Sequence, residues 1–169
     1  DYDPDGTRTR ARTTAGTTIY LNPRWDLGAN YEKTTTANGT VTHRHTLNAG
    51  NRPIALITTT PTGTTTRYLH TDHLGSLVAL TSDTGTLVQR LSYDPWGKRR
   101  HPNGTDATTP LTSPTTPHGY TGHEMLDSHG LIHMNARLYD PLLGRFLQAD
   151  PIGFAGGDNL YSYADNTPI

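Results

Sequence analysis

The stretch TVTHRHTLNAGNRPIALITTTPTGTTTRYLHTDHLGSLVALTSDTGTLVQRLSYDPWG, residues 40–97, decides the fold. Its glycines fall at 50, 63, 75, 85 and 97, and between them run short segments in which Thr alternates with Val, Ile, Leu or Tyr. Branched and aromatic side chains pack well on a pleated surface, and a period of two gives each set its own face. Each run is therefore read as a strand and each glycine as the turn that ends it. Toward the N-terminus the spacing continues through glycines 6, 16, 28 and 39, with a mean step of about eleven residues. The strands expected are 17–21, 31–36, 40–47, 54–60, 64–70, 76–82 and 86–94. Asn38-Gly39 can supply two positive φ angles for a type I′ turn, and 61–63 and 83–85 suit short glycine loops. The fold class expected is all-β, a sheet of successive antiparallel hairpins.

Composition points to a thin polar sheet rather than a thick core. Among 169 residues 31 are Thr, while Leu, Ile, Val and Phe together number 29, below the usual floor for a globular chain. The formal net charge is −1, so the charge half of the disorder signature is missing. That balance also leaves no broad basic field for nucleic acid or an anionic membrane, and Lys98-Arg99-Arg100 is too short to change it. No apolar run approaches the length of a membrane-spanning helix. Without cysteine there is neither a disulfide framework nor a thiolate nucleophile. The opening DYDPDG carries no initiator Met or signal peptide and reads as part of something longer.

After Gly97 the periodicity stops. Three segments are expected: hairpin repeats over 1–100, a Pro/Thr-rich surface loop over 101–117, and a mostly irregular final block over 118–169, with one short helix around Glu124–His129. The histidines invite a metal reading, since His43 and His45 share a strand face and His70 and His73 flank a turn; His123, His129 and His133 lie in the final block. No Cys or nearby carboxylate completes such a set, and no metal is expected. Tyr68, Tyr93, Trp96 and Tyr120 are read as cross-strand anchors rather than a sugar platform. On the residues alone, Asp150-Pro151 starts a turn and Arg145 binds sheet carbonyls; Asp140 and Asp158 are weaker functional candidates. The glycine-rich GFAGGDNLYSY, 153–163, is no phosphate loop, because no GK[ST] follows.

Two long stretches, YLHTDHLGSLVALTSDTGTLVQRLSYDPWG (68–97) and GYTGHEMLDSHGLIHMNARLYDPLLGRFLQADP (119–151), resemble the core domain of the RHS/YD-repeat family. TTIYL and YEKTTTANGTVTHRHTL resemble the degenerate YD repeats that precede that core. The resemblance implies repeats wound as a spiral β-shell, closed by a C-terminal core plug, in a protein secreted or displayed on a bacterial surface. Such shells enclose a C-terminal toxin or effector, and the related teneurins use the same shell in adhesion. The implied chemistry is self-cleavage of an aspartic-protease type: two carboxylates share a proton, one activating water and the other polarising the carbonyl. On GRFLQADP the family pattern gives the assisting arginine as Arg145 and the first carboxylate as Asp150, with Gly156, Gly157, Asn159 and Tyr161 supporting the site.

The second carboxylate belongs to a DPxGL motif beyond Asn166-Thr167-Pro168, and the chain ends at Ile169, so alone it is expected to be inactive. Fully extended, GRFLQAD would hold Arg145 and Asp150 about 17 Å apart on opposite faces. A turn or bulge within 147–149 is therefore expected to bring them together. No cofactor is expected. The implied partners are the rest of the shell and a C-terminal cargo, with a secretion carrier or a neighbouring copy at an open sheet edge as further candidates. Two other readings stand beside this one. The chain could be an adhesion module whose repeats bind glycan or protein, or an active autoprotease once its native C-terminus is restored.

Overall fold

The computed structural model describes residues 1–4, 7–21, 29–106 and 115–168. Residues 107–114, the middle of the expected Pro/Thr-rich loop, therefore lie outside the described residues. The protein is all-β, and its only helical elements among the described residues are single 3-10 turns. None is long and apolar enough to cross a membrane.

Eight strands form one sheet in chain order: β1 (Arg10–Thr13), β2 (Gly16–Leu21), β3 (Ala29–Thr36), β4 (Val41–Ala49), β5 (Arg52–Thr60), β6 (Gly63–Thr71), β7 (Leu77–Ser82) and β8 (Leu87–Arg90). From β1 to β6 each strand pairs antiparallel with the next, with one bulge at Leu47/Asn48. The expected strand 86–94 is broken at Leu91. That residue is buried and its N–H donates to the carbonyl of Val78, so the chain resumes as a separate short strand, β9 (Ser92–Tyr93).

Two compact units share the chain, residues 1–71 with 79–88, and residues 72–78 with 89–169. In the first, the register sorts side chains by face. Tyr20, Glu32, Arg44 and Thr58 lie in one cross-strand row, and Leu21, Tyr31, His45 and Ile57 in the row on the other face. The first face is the buried one: Tyr20, Asn30, Glu32, Thr46 and Leu56 are all covered. Arg8 lies 4.4 Å from the Tyr20 ring centroid and donates to its hydroxyl. On the same face Arg44 Nη1 donates to Thr34 Oγ1, while Asn30 Oδ1 and Arg44 Nε are buried without a hydrogen-bond partner.

The turn at Asn38-Gly39 is not type I′. Only Gly39 has a positive φ, +84°. The Thr36 N–H donates to the Thr40 carbonyl and the Gly39 N–H to the Thr36 carbonyl, while Asn38 Oδ1 accepts from the Thr40 N–H. That side-chain bond favours the right-handed conformation at Asn38 and leaves the left-handed position to glycine alone, a type I turn with a glycine bulge. The same pair of backbone bonds recurs at 72–76, 82–86, 94–98 and 101–105. At three of these the first side chain completes the turn: Asp72 Oδ1 accepts from Leu74 and Ser76, Ser82 Oγ from Thr84 and Thr86, and Asp94 Oδ1 from Trp96 and Lys98.

The second unit is built on a ribbon of β9 with β10 (Arg99–Arg100) and a four-stranded antiparallel sheet, β11 (Glu124–Leu126), β12 (Leu131–Met134), β13 (Arg137–Asp140) and β14 (Arg145–Phe146). The helix expected around Glu124–His129 is instead β11 followed by a 3-10 turn, Asp127–His129. Met125 is paired with buried Ile132, and Gly130 at φ +66° closes the turn, so a period-two pairing outcompetes a segment too short to nucleate a helix. The core is Tyr120, Met125, Ile132, Met134, Tyr139 and Phe146, with Tyr93 and Tyr163 packed against it. Its tyrosine hydroxyls end on backbone carbonyls: Tyr93 donates to Leu77, Tyr120 to Pro95 and Tyr139 to Trp96.

Candidate functional site

Asp150 is held by the backbone on both sides. Its N–H donates to the Leu160 carbonyl, its own carbonyl accepts from the Gly153 N–H, and its Oδ1 accepts from the Ile152 N–H at 3.0 Å. The Asp-Pro turn read from sequence is thus real. The other carboxylate oxygen does something further: Oδ2 lies 2.8 Å from Nη1 of Arg137. Both side chains are mostly buried, at 18% and 19% exposure. That nitrogen makes no well-angled hydrogen bond, so the contact is a charge pair rather than a bidentate fork. The Arg137 guanidinium also lies 3.6 Å from the Phe146 ring centroid, which fixes its plane over an aromatic face.

The expected bend is present at Leu147-Gln148, but it brings Asp150 to Arg137, not to Arg145. Arg145 is exposed on β14, where its register partners are Asp140 on β13 and Ser162 in an isolated bridge. Strand geometry explains the exchange. β13 and β14 pair Tyr139 with Phe146, and the Leu147 N–H donates to the Leu138 carbonyl, so the chain leaving β14 runs back past Arg137. The signal was in the sequence: a hairpin over Arg137–Phe146, closed by Asp140-Pro141 and Gly144, carries the chain after Phe146 back toward Arg137. Asp140 serves that turn, its Oδ1 accepting from the N–H groups of Leu142 and Leu143.

The 153–163 segment does lie against Asp150. A Cβ on Gly156 would stand 3.1 Å from Ile152 Cδ1 and 3.3 Å from Asp150 Oδ2, so the glycine lets the backbone pass close to both side chains. Gly157, at φ +118°, ends the 3-10 turn Gly153–Gly156. Asn159 Oδ1 accepts from the Tyr161 N–H, and the Tyr161 carbonyl accepts from Phe146. Tyr161 itself is exposed; the aromatic that packs the core is Tyr163, 4.6 Å from Tyr139 ring to ring. Beyond it, Ala164, Asp165 and Asn166 all have positive φ, a left-handed turn of three non-glycine residues. Such a run costs free energy at each position.

The other candidates are placed as follows. Tyr93 and Tyr120 are in or against the core, and burial holds both hydroxyls well above the ordinary tyrosine range. Trp96 lies against Gly144, and Tyr68 is 46% exposed. His43 Nδ1 is 2.6 Å from the Tyr31 hydroxyl, and His70 Nε2 is 3.1 Å from Thr81 Oγ1. His123 is half-buried, with Nδ1 2.8 Å from Thr121 Oγ1, and desolvation lowers its pKa to about 4. Among the described residues no three His, Asp or Glu side chains are grouped to hold a metal ion.

Comparison with known proteins adds the following. A family model described as Teneurin YD-shell matches residues 55–169. The chain is similar to the double-stranded DNA deaminase toxin A of Burkholderia cenocepacia, 35% identical over 99 residues, which is 59% of this chain and 7% of that protein. It is also similar to the tRNA3(Ser)-specific nuclease WapA of Bacillus spizizenii, 28% identical over 172 residues, 99% of this chain and 7% of that protein. Among solved structures, TcdB2-TccC3 without its hypervariable C-terminal region superposes with a TM-score of 0.71 at 21% identity, over 99% of this chain and 8% of that one. The chain thus spans less than a tenth of each of these proteins.

Proposed function

This chain belongs to the Teneurin YD-shell family, and we propose that it forms part of a hollow RHS-type β-shell that encloses and delivers a C-terminal toxin or effector. One observation carries the reading. Two proteins named for unlike chemistries, a DNA deaminase and a tRNA nuclease, both share this stretch. A stretch common to both fits a shared container better than either chemistry. The partners in this reading are the rest of the shell and the cargo, in a secreted or surface-delivered protein.

Within it, Asp150 is the first carboxylate of a self-cleaving pair. Arg137 holds Oδ2 and orients it, Gly156 lets the backbone pass close to that oxygen, and a second carboxylate placed beside it would share its proton. Arg145, the arginine the family pattern suggests, is the competing assignment. The packing of Tyr93, Trp96 and Tyr120 against their own unit weighs against a glycan-binding aromatic platform.

The test is the chain extended through its native downstream sequence to the cargo. On a denaturing gel the wild type should separate into two fragments, and Asp150→Asn should remain whole with its fold intact. Arg137→Ala should slow cleavage more than Arg145→Ala. If Asp150→Asn still separates, Asp150 is a turn residue only. If Arg145→Ala is the slower variant, the assisting role passes to Arg145.

A further inference from the structure

Two of the repeated turns, 72–76 and 94–98, contribute to a single cavity of about 310 Å³ in the second unit. Its apolar walls include Val78, Leu91, Tyr93 and Tyr120, and its polar groups include the two turn aspartates, Asp72 and Asp94. The volume is at the lower end of that of small-molecule sites. Each aspartate spends Oδ1 on two backbone N–H groups of its own turn. Among the described residues, neither Oδ2 accepts a hydrogen bond and neither carboxylate is ion-paired. No Lys or Arg lines the cavity. Two aspartates, two tyrosines and His73 line this half-open space; Arg99, ion-paired with Asp127, lies 5.6 Å from the Tyr93 ring centroid but is not among the lining residues.

We propose that this cavity binds an organic cation on a short apolar stem, a primary ammonium or a guanidinium. Its charge would sit between Asp72 and Asp94, and its methylenes against Tyr93, Tyr120, Val78 and Leu91. A charge-assisted hydrogen bond to a carboxylate is about twice as strong as a neutral one, and a ring face adds a cation–π attraction. Both carboxylates are felt inside the cavity. Burial is the main cause that raises the Tyr93 hydroxyl, Arg99 opposes it, and Asp127 and then Asp72 add to it; the Tyr120 hydroxyl is raised by burial, then by Tyr163 and Tyr139, with Asp94 the smallest contribution. An anion is repelled by the same pair, and a neutral alcohol of equal size forgoes the charged contact. The cation could come from a free amine or from a Lys or Arg side chain of a polypeptide lying over the unit. Neither source depends on the cleavage reading.

The 169-residue chain, labelled with nitrogen-15, is titrated with n-butylammonium, n-butanol, butyrate and N-acetyl-lysine methylamide, following the amides of Leu74, Ser76 and Trp96. Butylammonium should give saturable shifts, n-butanol should bind at least about tenfold more weakly, and butyrate should not bind. N-acetyl-lysine methylamide binding at least as tightly as butylammonium identifies a side chain as the natural occupant; weaker binding identifies a free amine. The double variant Asp72→Asn, Asp94→Asn keeps both Oδ1 acceptors and hence both turns, and should lose about tenfold in ammonium affinity with an unchanged circular dichroism spectrum. Equal binding of butanol and butylammonium, or undiminished binding by the double variant, overturns the proposal. Should that variant fail to fold, added salt decides on the wild type: it must weaken the ammonium and not the alcohol, and an ammonium affinity insensitive to salt overturns the proposal equally.

Discussion

At Gly97 two constraints coincide: φ is +92°, and a Cβ there would stand 2.5 Å from the Tyr120 ring. Gly97→Ala should therefore destabilise the chain by about 2–4 kcal/mol, from the left-handed backbone and the overpacked ring together. Urea unfolding checks it, and a loss under about 1 kcal/mol would show that the ring moves aside. Arg137→Ala removes a buried charge partner and a cation from a ring face, and should cost about 1–3 kcal/mol. Exposed Arg145→Ala should stay within about 0.5 kcal/mol. His123 gives the pH dependence. Its folded pKa of about 4 lies below the ordinary 6.5. Between these values the unfolded chain binds a proton that the folded chain refuses, so stability rises with pH across that window. Up to about 3 kcal/mol is lost on acidification from pH 7 to pH 4. Asp127 works against this, because burial raises its carboxyl despite the Arg99 ion pair. Replacing His123 with Asn should flatten the measured slope above pH 4.

At the scale of elements, the turns carry more than their length suggests. Asp94 Oδ1 accepts two N–H groups, and Asp94→Ala should cost about 1–2 kcal/mol while Asp94→Asn, which keeps that acceptor, should cost much less. Thermal unfolding of the two variants side by side separates the acceptor from the charge. The strands from β2 to β7 were legible because Thr and aliphatic residues alternate between glycines, a pattern only a pleated sheet uses. β11 was not, since three residues carry too little period to distinguish a strand from a turn of helix. The Asn-Gly turn type was missed because the dipeptide permits two left-handed residues without requiring them, and the side-chain bond to Thr40 decided the matter. Asp150 was legible as a residue but its cation was not. Arg137 reaches it through a hairpin whose register is set by Tyr139 against Phe146, a non-local fact.

For the whole molecule, the chain passes between its two units three times, so neither is a continuous piece of sequence. Residues 101–169 expressed alone would leave Tyr120 and Tyr139 without the carbonyls of Pro95 and Trp96, and Asp127 without Arg99. That piece should show no cooperative melting transition, whereas the full chain should; near-ultraviolet circular dichroism distinguishes them. The order of the large sheet has a different consequence. Each strand lies beside its predecessor in sequence, with no crossover. Contacts of such short separation form quickly and can be laid down as the polypeptide arrives, one ribbon on the last. A molecule of this kind can emerge from a narrow exit end first and assemble as it goes. Drawn back by its N-terminus in a single-molecule trap, it should yield as a staircase of small extensions at low force, strand after strand, like a zip rather than a clasp.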